Sequence, residues 1–467
     1  MKYKFIHFFI IFSLIYALPY QICEAKNSKK TPPSPIYTGK RSLNAIENSA
    51  IPTKALDMQS AVKRALQFNP SLGAAEAKSK GSEEGRKSSR GAFGPKLGTS
   101  YTIIKQERDS TPATMKPADL GTYTWAMEVS QTIFQGFKIL SNYQKAALQA
   151  DSDKAALKNS ELSMTEQVQT HFLNYLRSEE NVKSQRDALA RLRDQLKITQ
   201  AFYDVGLRPR LDVLQAEVNV SQSENTLIQL ENNRDTYLSM LNTLLGFPAT
   251  AKIKYAGTLK FIPFERTLEQ CLETAYRQRP DLYIAYKAIE IAEKDQKIVQ
   301  GDYYPRIEAY YNVNQTGNSL DLQQKGDRGS RTQTWEVGAR ATWDIFQWGT
   351  TYYADKQAGW QVTRLRYEEE NLKLNVGYDI KSKLLNVHEA KKRINVAEKE
   401  VEQATEAYNV ALARYQEQVG TNFDVLDASS NLRTAQASLT SAKADYLTAL
   451  SQIYIAMGEF HPDLVQH

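Results

Sequence analysis

Residues 137–205 contain neither glycine nor proline, and this run constrains the fold more than any other feature of the chain. A helix rises about 1.5 Å per residue, so a helix over the whole run would be roughly 100 Å long, far longer than the helices of ordinary globular domains. Apolar side chains recur along it every seven residues, the spacing of a coiled-coil seam. These are Val168, Tyr175, Val182, Leu189, Leu196 and Tyr203.

The chain is two copies of one unit. Matching positions lie 210 residues apart at first and 212 apart later: Asn69-Pro70 with Arg279-Pro280, Trp125 with Trp335, Ile133-Phe134 with Ile345-Phe346, and Gly246 with Gly458. The seam recurs at the offset of 212 as Ile380, Val387, Ile394, Val401, Tyr408 and Tyr415. Because a repeat of this length is too long for a solenoid, we expect two large structural repeats, residues 56–255 and 256–467.

Each repeat is predicted to contain a pair of strands. Apolar and polar residues alternate from Trp335 to Ile345, and less regularly in three other segments, which is the pattern of a strand with one apolar face. Long polar connections separate the two strands of each pair. The predicted strands cover about 96–106, 122–135, 305–316 and 332–346.

Each repeat is predicted to end in a helical hairpin. The long helices cover about 137–204 and 350–417, and shorter return helices cover about 211–245 and 424–457. Gly206 and Gly420 mark the turns between them, since glycine commonly follows the end of a helix.

The first 25 residues indicate a secretory signal peptide, because Lys2 and Lys4 precede an apolar run and a small-x-small cleavage pattern ends at Ala25. The alternatives are a short membrane anchor and a lipidated Cys23. However, the apolar run is shorter than the roughly 20 residues of a span, and the residues before Cys23 are not the small ones of a lipoprotein signal. Residues 26–55, rich in Lys, Ser, Asn and Pro, are predicted to be a flexible polar linker.

Charge and composition exclude several classes of function. Residues 1–56 carry eight Lys/Arg and two Asp/Glu, which accounts for the formal charge of +6, so the rest of the chain lacks the basic patch of a nucleic-acid binder. No later apolar run reaches 18 residues, which excludes helical membrane spans. Phosphate-binding, nucleophile-elbow and dinucleotide motifs do not occur, and His171 and His388 lack neighbours at metal-ligand spacing. We therefore predict no enzyme activity, no cofactor, no metal and no nucleic-acid partner.

Four amphipathic strands are too few to close a membrane barrel, which needs about eight, so oligomerisation is the natural solution. Trp335 and Trp343, at the two ends of one apolar face, suit the aromatic girdles of such a barrel. A soluble sheet packed on a core is the alternative, but the remaining chain offers no second sheet. Polar helices with a narrow apolar seam fit a water-filled tube better than a solid bundle.

Together these features resemble the TolC-type outer-membrane efflux and secretion channels. The resemblance rests on the two-copy layout, on Phe134-Gln135-Gly136 and above all on the segment from Val419 to Ala428. It implies a mainly α fold with β strands, in which long coiled-coil hairpins and four strands per protomer form a homotrimeric 12-stranded outer-membrane β-barrel continued by a periplasmic α-helical tunnel. It also implies the outer membrane of a Gram-negative bacterium as the location. The implied partners are outer-membrane lipid, a periplasmic adaptor protein and an inner-membrane ABC or proton-driven transporter.

The resemblance also assigns roles to residues near the hairpin tips. Asp424 and Asp427 match the paired aspartates that line the constriction of such channels. Tyr415 and Asp212 match a tyrosine and an aspartate that hold the closed tip together, whereas an arginine that assists closure in some relatives falls on Gly420. The residues alone leave other interpretations open: the two aspartates as an ordinary acidic helix start, and Tyr415 as the last member of the apolar seam.

We therefore predict a passive trimeric exit duct that exports substrates across the periplasm and outer membrane when docked to an adaptor and a pump. The turns at Gly206 and Gly420 are the expected adaptor-docking points. Type I protein secretion and small-molecule efflux both fit, and the absence of N-terminal lipidation favours secretion. The alternative hypothesis is a periplasmic coiled-coil adaptor or scaffold without a pore, which would have no need of the apolar stripe from Trp335 to Ile345.

Overall fold

The computed structural model describes residues 54–106, 120–317 and 332–461, together with Leu320, Leu322 and Leu464. The predicted signal peptide and residues 26–53 of the predicted linker lie outside the described residues. Most of the two connections between paired strands lies outside them as well.

The described residues repeat one order of elements twice. In the first copy these are α1 Met58–Phe68, α2 Pro70–Arg90, β1 Lys96–Gln106, β2 Leu120–Gln135, α3 Lys138–Asp204 and α4 Arg210–Leu244. In the second copy they are α5 Leu268–Gln278, α6 Pro280–Gln300, β3 Arg306–Gly317, β4 Thr332–Thr342, α7 Thr350–Gln416 and α8 Asn422–Ala456. Helices α3 and α7 are each 67 residues long, or about 100 Å at 1.5 Å per residue.

The short helix pairs α1–α2 and α5–α6 are absent from the sequence-based prediction. Their boundary is visible in the sequence as Asn69-Pro70 and Arg279-Pro280, since proline is favoured at the first position of a helix and disfavours a helical residue before it. The Asn69 side chain accepts a hydrogen bond from the Ser71 amide at 2.9 Å and so caps α2. Thr267 and Gln270 form a capping box at the start of α5.

The four strands form one antiparallel sheet in the order β1-β2-β3-β4. Directly opposed residues give an apolar row of Leu97, Val129, Tyr311 and Val337 next to a polar row of Gly98, Glu128, Asn312 and Glu336. Successive side chains of a strand point to opposite faces. The sheet therefore has one apolar and one polar face, as the alternation in the sequence predicts.

Strand β4 ends at Thr342, which is four residues earlier than predicted. Its last pair, Arg306 with Thr342, matches the last pair of β1 with β2 in the first copy, Lys96 with Ser130. Beyond that point β2 continues to Gln135 because it pairs with β3 from the other copy through a bulge at Ile133. Strand β4 has no second neighbour within the described residues, so the segment 343–347 has no ladder partner there.

The long helices are held by the helices packed around them. Helix α3 contacts α2, α4, α6 and α8, whereas α7 contacts α5, α6 and α8. The main core lies at mid-length, where α1, α5 and the segment 245–255 cover the seams of α3 and α7. Among the described helices, none combines the length and apolar character that a membrane-crossing helix needs.

The predicted seam is buried along most of its length. Val168, Val182 and Leu189 on α3 and Ile380, Val387 and Ile394 on α7 are all buried. The two copies differ at the tips, since Tyr203 is exposed whereas its counterpart Tyr415 is completely buried. The repeats are therefore equivalent in the wall but not at the tip.

We predict that Ile380→Ala destabilises the protein by about 2–5 kcal/mol, because it removes a fully buried side chain and leaves a cavity. Val396→Ala is the matched control on the same helix, since Val396 is exposed, and it should change the free energy of unfolding by less than about 0.5 kcal/mol. Thermal unfolding followed by circular dichroism measures both. Equal effects of the two substitutions would contradict the assigned core.

Candidate functional site at the hairpin tips

The first hairpin tip joins α3 to α4 through a left-handed glycine. Gly206 has φ +78°, a conformation in which side-chain-bearing residues are strained. The Gly206 amide donates to the Tyr203 carbonyl at 2.9 Å, and the Leu207 amide donates to the Phe202 carbonyl at 2.8 Å. This pair of bonds is a Schellman motif, which ends the helix sharply.

In the second tip, the counterpart of Gly206 is Gln418 rather than Gly420. Gln418 takes the left-handed conformation with φ +63°, and its amide donates to the Tyr415 carbonyl at 3.0 Å. Gly420 instead lies against the end of α7, where an added Cβ would come within 3.1 Å of the Arg414 Cβ. The two glycines expected to mark equivalent turns therefore have different roles, one in chain reversal and the other in close packing.

A buried polar network joins the two hairpins just above the tips. The Tyr415 hydroxyl donates to Thr199 Oγ1 at 3.1 Å, and the Thr199 hydroxyl donates to the Gln195 carbonyl at 2.9 Å. The Gln195 side-chain amide donates to Asn422 Oδ1 at 2.9 Å. All four side chains are at most 3% exposed, and hydrogen bonds between buried polar groups are costly to break because each lost partner leaves an unsatisfied group.

Two further contacts bind the tips below this network. Arg208, in the turn before α4, donates from Nη2 to the Gly420 carbonyl at 2.7 Å, and its guanidinium lies 5.0 Å from the centre of the Tyr415 ring. The Asn422 side-chain amide donates to the backbone carbonyl of Asp212 at 3.2 Å. At the repeat offset of 212, Arg208 corresponds to Gly420. An arginine is therefore present at the tips, but it lies on the first hairpin, whereas the family pattern places it on the second.

The expected hydrogen bond from Tyr415 to Asp212 is not the one formed in this protomer. The Tyr415 hydroxyl is bonded to Thr199 instead, and Asp212 is linked to the second hairpin only through its backbone carbonyl. Asp212 lies in the first turn of α4, where the positive end of the helix dipole stabilises its negative charge. The Tyr415 ring also packs against Phe202, with 5.7 Å between the ring centres. Tyr415 therefore contributes both a packed ring and a hydroxyl hydrogen bond.

Asp424 and Asp427 lie on one exposed face at the start of α8. Asp424 forms a capping box with Thr421: its carboxylate accepts from the Thr421 amide at 3.0 Å, and its own amide donates to the Thr421 hydroxyl at 3.2 Å. The bond from the Thr421 backbone amide holds the pKa of Asp424 below its ordinary value. Asp427 accepts from the Asn431 side-chain amide at 3.0 Å. Asp424 therefore both stabilises the helix start and presents a negative charge at neutral pH.

Two titratable groups elsewhere in the described part of the chain have pKa values shifted by burial. Burial lowers the pKa of His171 and raises the pKa of the Cys271 thiol. No three side chains able to hold a metal ion cluster among the described residues.

Comparison with known proteins identifies the family to which this duplicated fold belongs. A family profile described as "Outer membrane efflux protein" matches residues 61–247 and 271–459, one match for each repeat. The chain belongs to the outer membrane efflux protein family. It is located in the outer membrane, and it is a transport duct rather than an enzyme. This assignment decides against the alternative of a scaffold without a pore.

Individual relatives span nearly the whole chain. The chain is 22% identical to the alkaline protease secretion protein AprF of Pseudomonas aeruginosa, with 86% of this chain and 85% of that protein covered. It is 23% identical to the outer membrane protein TolC of Vibrio cholerae, with 85% and 89% covered. The crystal structure of the Campylobacter jejuni CmeC outer membrane channel matches with a TM-score of 0.76 at 16% identity, over 96% of this chain and 95% of that one. TolC-family channels are homotrimers that dock with adaptor proteins and inner-membrane pumps.

Four residues of the tip network are not predicted from the sequence: Gln195, Thr199, Arg208 and Asn422. Gln195 and Thr199 are polar residues beside an apolar seam, and only the contact of α3 with α8 shows that they are buried. Arg208 had a signal in the sequence, since it is the repeat counterpart of Gly420.

We predict that Tyr415→Phe loosens the tip by about 1 kcal/mol, because it keeps the packed ring and removes only the hydroxyl bonded to Thr199. Amide hydrogen exchange of residues 413–424 should then speed up by about fivefold. Tyr408→Phe, one heptad earlier, is the matched control: the Tyr408 hydroxyl has no hydrogen-bond partner among the described residues, so exchange should stay unchanged. Equal exchange in the two variants would assign Tyr415 to packing alone.

Proposed function

We propose that three copies of this chain form a passive exit duct whose gate is the network at the hairpin tips. The observation that carries the proposal is the continuity of a two-faced sheet with two 67-residue helices in each protomer. The apolar face of the sheet suits lipid and the polar face suits water. The outer edges of β1 and β4 are unpaired within the described chain, so closure of the sheet requires neighbouring copies.

Energy for export comes from a docked inner-membrane pump, of either the ABC or the proton-driven class. The names of the relatives indicate different cargoes. One is named for alkaline protease secretion and another for toxin and drug export. The duct of this chain accordingly serves type I secretion or small-molecule efflux.

Asp424 and Asp427 are the proposed constriction. Both carboxylates are exposed in a single protomer, so a threefold axis near the tips would bring six of them together around the exit path. The tip contacts of Tyr415, Thr199 and Arg208 hold the two hairpins of one protomer side by side. An opening motion that separates the hairpins has to break this network, which supports a role for Tyr415 in gating; Asp212 takes part through its backbone.

The adaptor-docking surface is proposed to surround the two turns marked by Gly206 and Gly420. Apolar side chains there are unusually exposed: Val205 and Val419 are both 69% exposed, and Leu207 and Phe423 are also exposed. Apolar residues at an exposed loop tip suit a contact with another protein.

We predict that the double variant Asp424→Asn, Asp427→Asn loses cation selectivity and block by multivalent cations in planar-bilayer recordings. Asparagine keeps a hydrogen-bond acceptor at each position and removes only the charge. Glu400→Gln, an exposed carboxylate on α7 away from the tip, is the control and should leave selectivity unchanged. Because the pKa of Asp424 is lowered in the folded protomer, the negative charge of Asp424 should persist to a lower pH than that of an unperturbed aspartate. Unaltered selectivity in the double variant would place the constriction elsewhere.

We predict that Val205→Asp combined with Val419→Asp abolishes co-purification of the adaptor while the trimer remains intact. A charge placed in an apolar contact has to be desolvated without a partner. Val396→Asp is the matched control, since Val396 is equally exposed, at 67%, but lies within α7. Normal adaptor recovery with the tip variant would remove the turns from the docking surface.

A further inference from the structure

The charged side chains of the sheet lie almost entirely on its polar face. Seven charged residues occur in the four described strands. Because successive side chains of a strand point to opposite faces, all of them except Lys105 share the face of Gly98 and Asn312. The six on this face are Lys96, Glu128, Arg306, Glu308, Glu336 and Arg340.

A basic band lies at the end of the sheet that adjoins the helices. Lys96 and Arg306 are the first residues of β1 and β3, and Arg340 is the third residue from the end of β4. Glu308 lies opposite Arg340 in the ladder and is the one carboxylate of this band. Three cations and one carboxylate give the basic band a net charge of +2 in each protomer.

Arg340 keeps an unpaired charge in the basic band, whereas Arg306 does not. Arg306 pairs with Glu308 at 3.1 Å. The Arg340 guanidinium instead lies 5.3 Å from the centre of the Tyr310 ring. This ring covers Gly338, where an added Cβ would lie 2.8 Å from the Tyr310 Cζ. An aromatic ring attracts a cation without cancelling its charge, so Arg340 is held in place and remains a cation without a carboxylate partner among the described residues.

An acidic band lies at mid-length of the same face. Glu128 and Glu336 occupy one row of the ladder, with Asn312 between them. The Asn312 side-chain amide donates to Glu336 at 2.9 Å, and this neutral partner fixes the carboxylate without removing its charge. The acidic band carries a net charge of −2 in each protomer. Along β4, Glu336 lies four residues from Arg340, a separation of about 13 Å between the two bands.

We propose that the lumen of the barrel is a second charge filter, in which the basic band favours anions and the acidic band favours cations, in series with the hairpin tips. The proposal rests on the trimeric duct described above, because three sheets closed with the polar face inward bring both bands around the exit path. Rings of charged side chains are one of the means by which channels select ions. Ions leaving the tunnel meet the basic band first and the acidic band second.

The width of the lumen decides how far these charges act. Twelve strands about 4.8 Å apart and tilted by about 40° give a backbone diameter of about 24 Å, so an ion on the axis passes within about 10 Å of the charged groups. The Debye length is about 10 Å at 0.1 M salt and about 3 Å at 1 M. The two bands therefore act on passing ions in dilute salt and are screened in concentrated salt.

The test is the reversal potential in planar bilayers across a salt gradient, at a mean concentration of about 0.1 M and again at about 1 M. Every variant also carries the two asparagine substitutions of the tip described above, so that the tip carboxylates do not contribute. Glu128→Gln with Glu336→Gln should lower the cation-to-anion permeability ratio by about twofold or more in dilute salt. Lys96→Gln with Arg340→Gln should raise the ratio by a similar factor. Both shifts should disappear at the higher concentration.

Asn314→Gln is the matched control, because it places a glutamine on the next row of the same face without a change of charge, and it should leave the ratio unchanged. Glu336→Gln retains an acceptor for the Asn312 amide. Trimer formation by each variant is checked by native sizing in detergent. If trimeric channels with either pair of substitutions match the control in dilute salt, the charge filter is overturned and the duct stands. Absence of a trimer and of channels in the unmodified protein would overturn the duct as well.

Discussion

A helix of 67 residues with a narrow apolar seam is stable only where other helices cover that seam along its length. This requirement governs the whole architecture. The return helices α4 and α8 cover the lower part of the long helices, and the short pairs α1–α2 and α5–α6 cover the upper part.

Because the chain is duplicated, the two long helices can be compared for the neighbours that cover them. Each long helix needs a neighbour on both flanks, and within one chain only α3 has both. The same incompleteness is found in the sheet, whose edge strands β1 and β4 are unpaired within the described chain. Within the described residues, a single chain therefore leaves both edges of its sheet unpaired.

The hairpin tips are the part of the molecule where the two repeats diverge most. Tyr203 is exposed and Tyr415 is buried at equivalent positions, and Arg208 replaces the glycine found at 420. This asymmetry lets one hairpin supply Thr199 and Arg208 while the other supplies Tyr415 and the Gly420 carbonyl. The two hairpins therefore contribute different groups to the contacts that join the tips.

The sequence by itself determined the elements and their duplication. The glycine- and proline-free runs, the seven-residue seam and the strand alternation are local patterns, and each reports the one face that an element must bury. The ends of α3 and α7 and the two faces of the sheet follow from these patterns. The family resemblance likewise follows from the segment Val419 to Ala428.

Only the tertiary structure decided which residues and strands contact one another. Tyr415 bonds Thr199 rather than Asp212, and Gln195 is buried although it is polar, because α3 packs on α8 at the tip and nothing in the local pattern encodes that approach. Strand β4 ends at Thr342 because ladder bonds need a second strand, which the sequence of one strand cannot supply. Periodicity specifies which face of an element is apolar, but contacts between distant segments depend on how the elements pack together, and that is settled only when the chain folds.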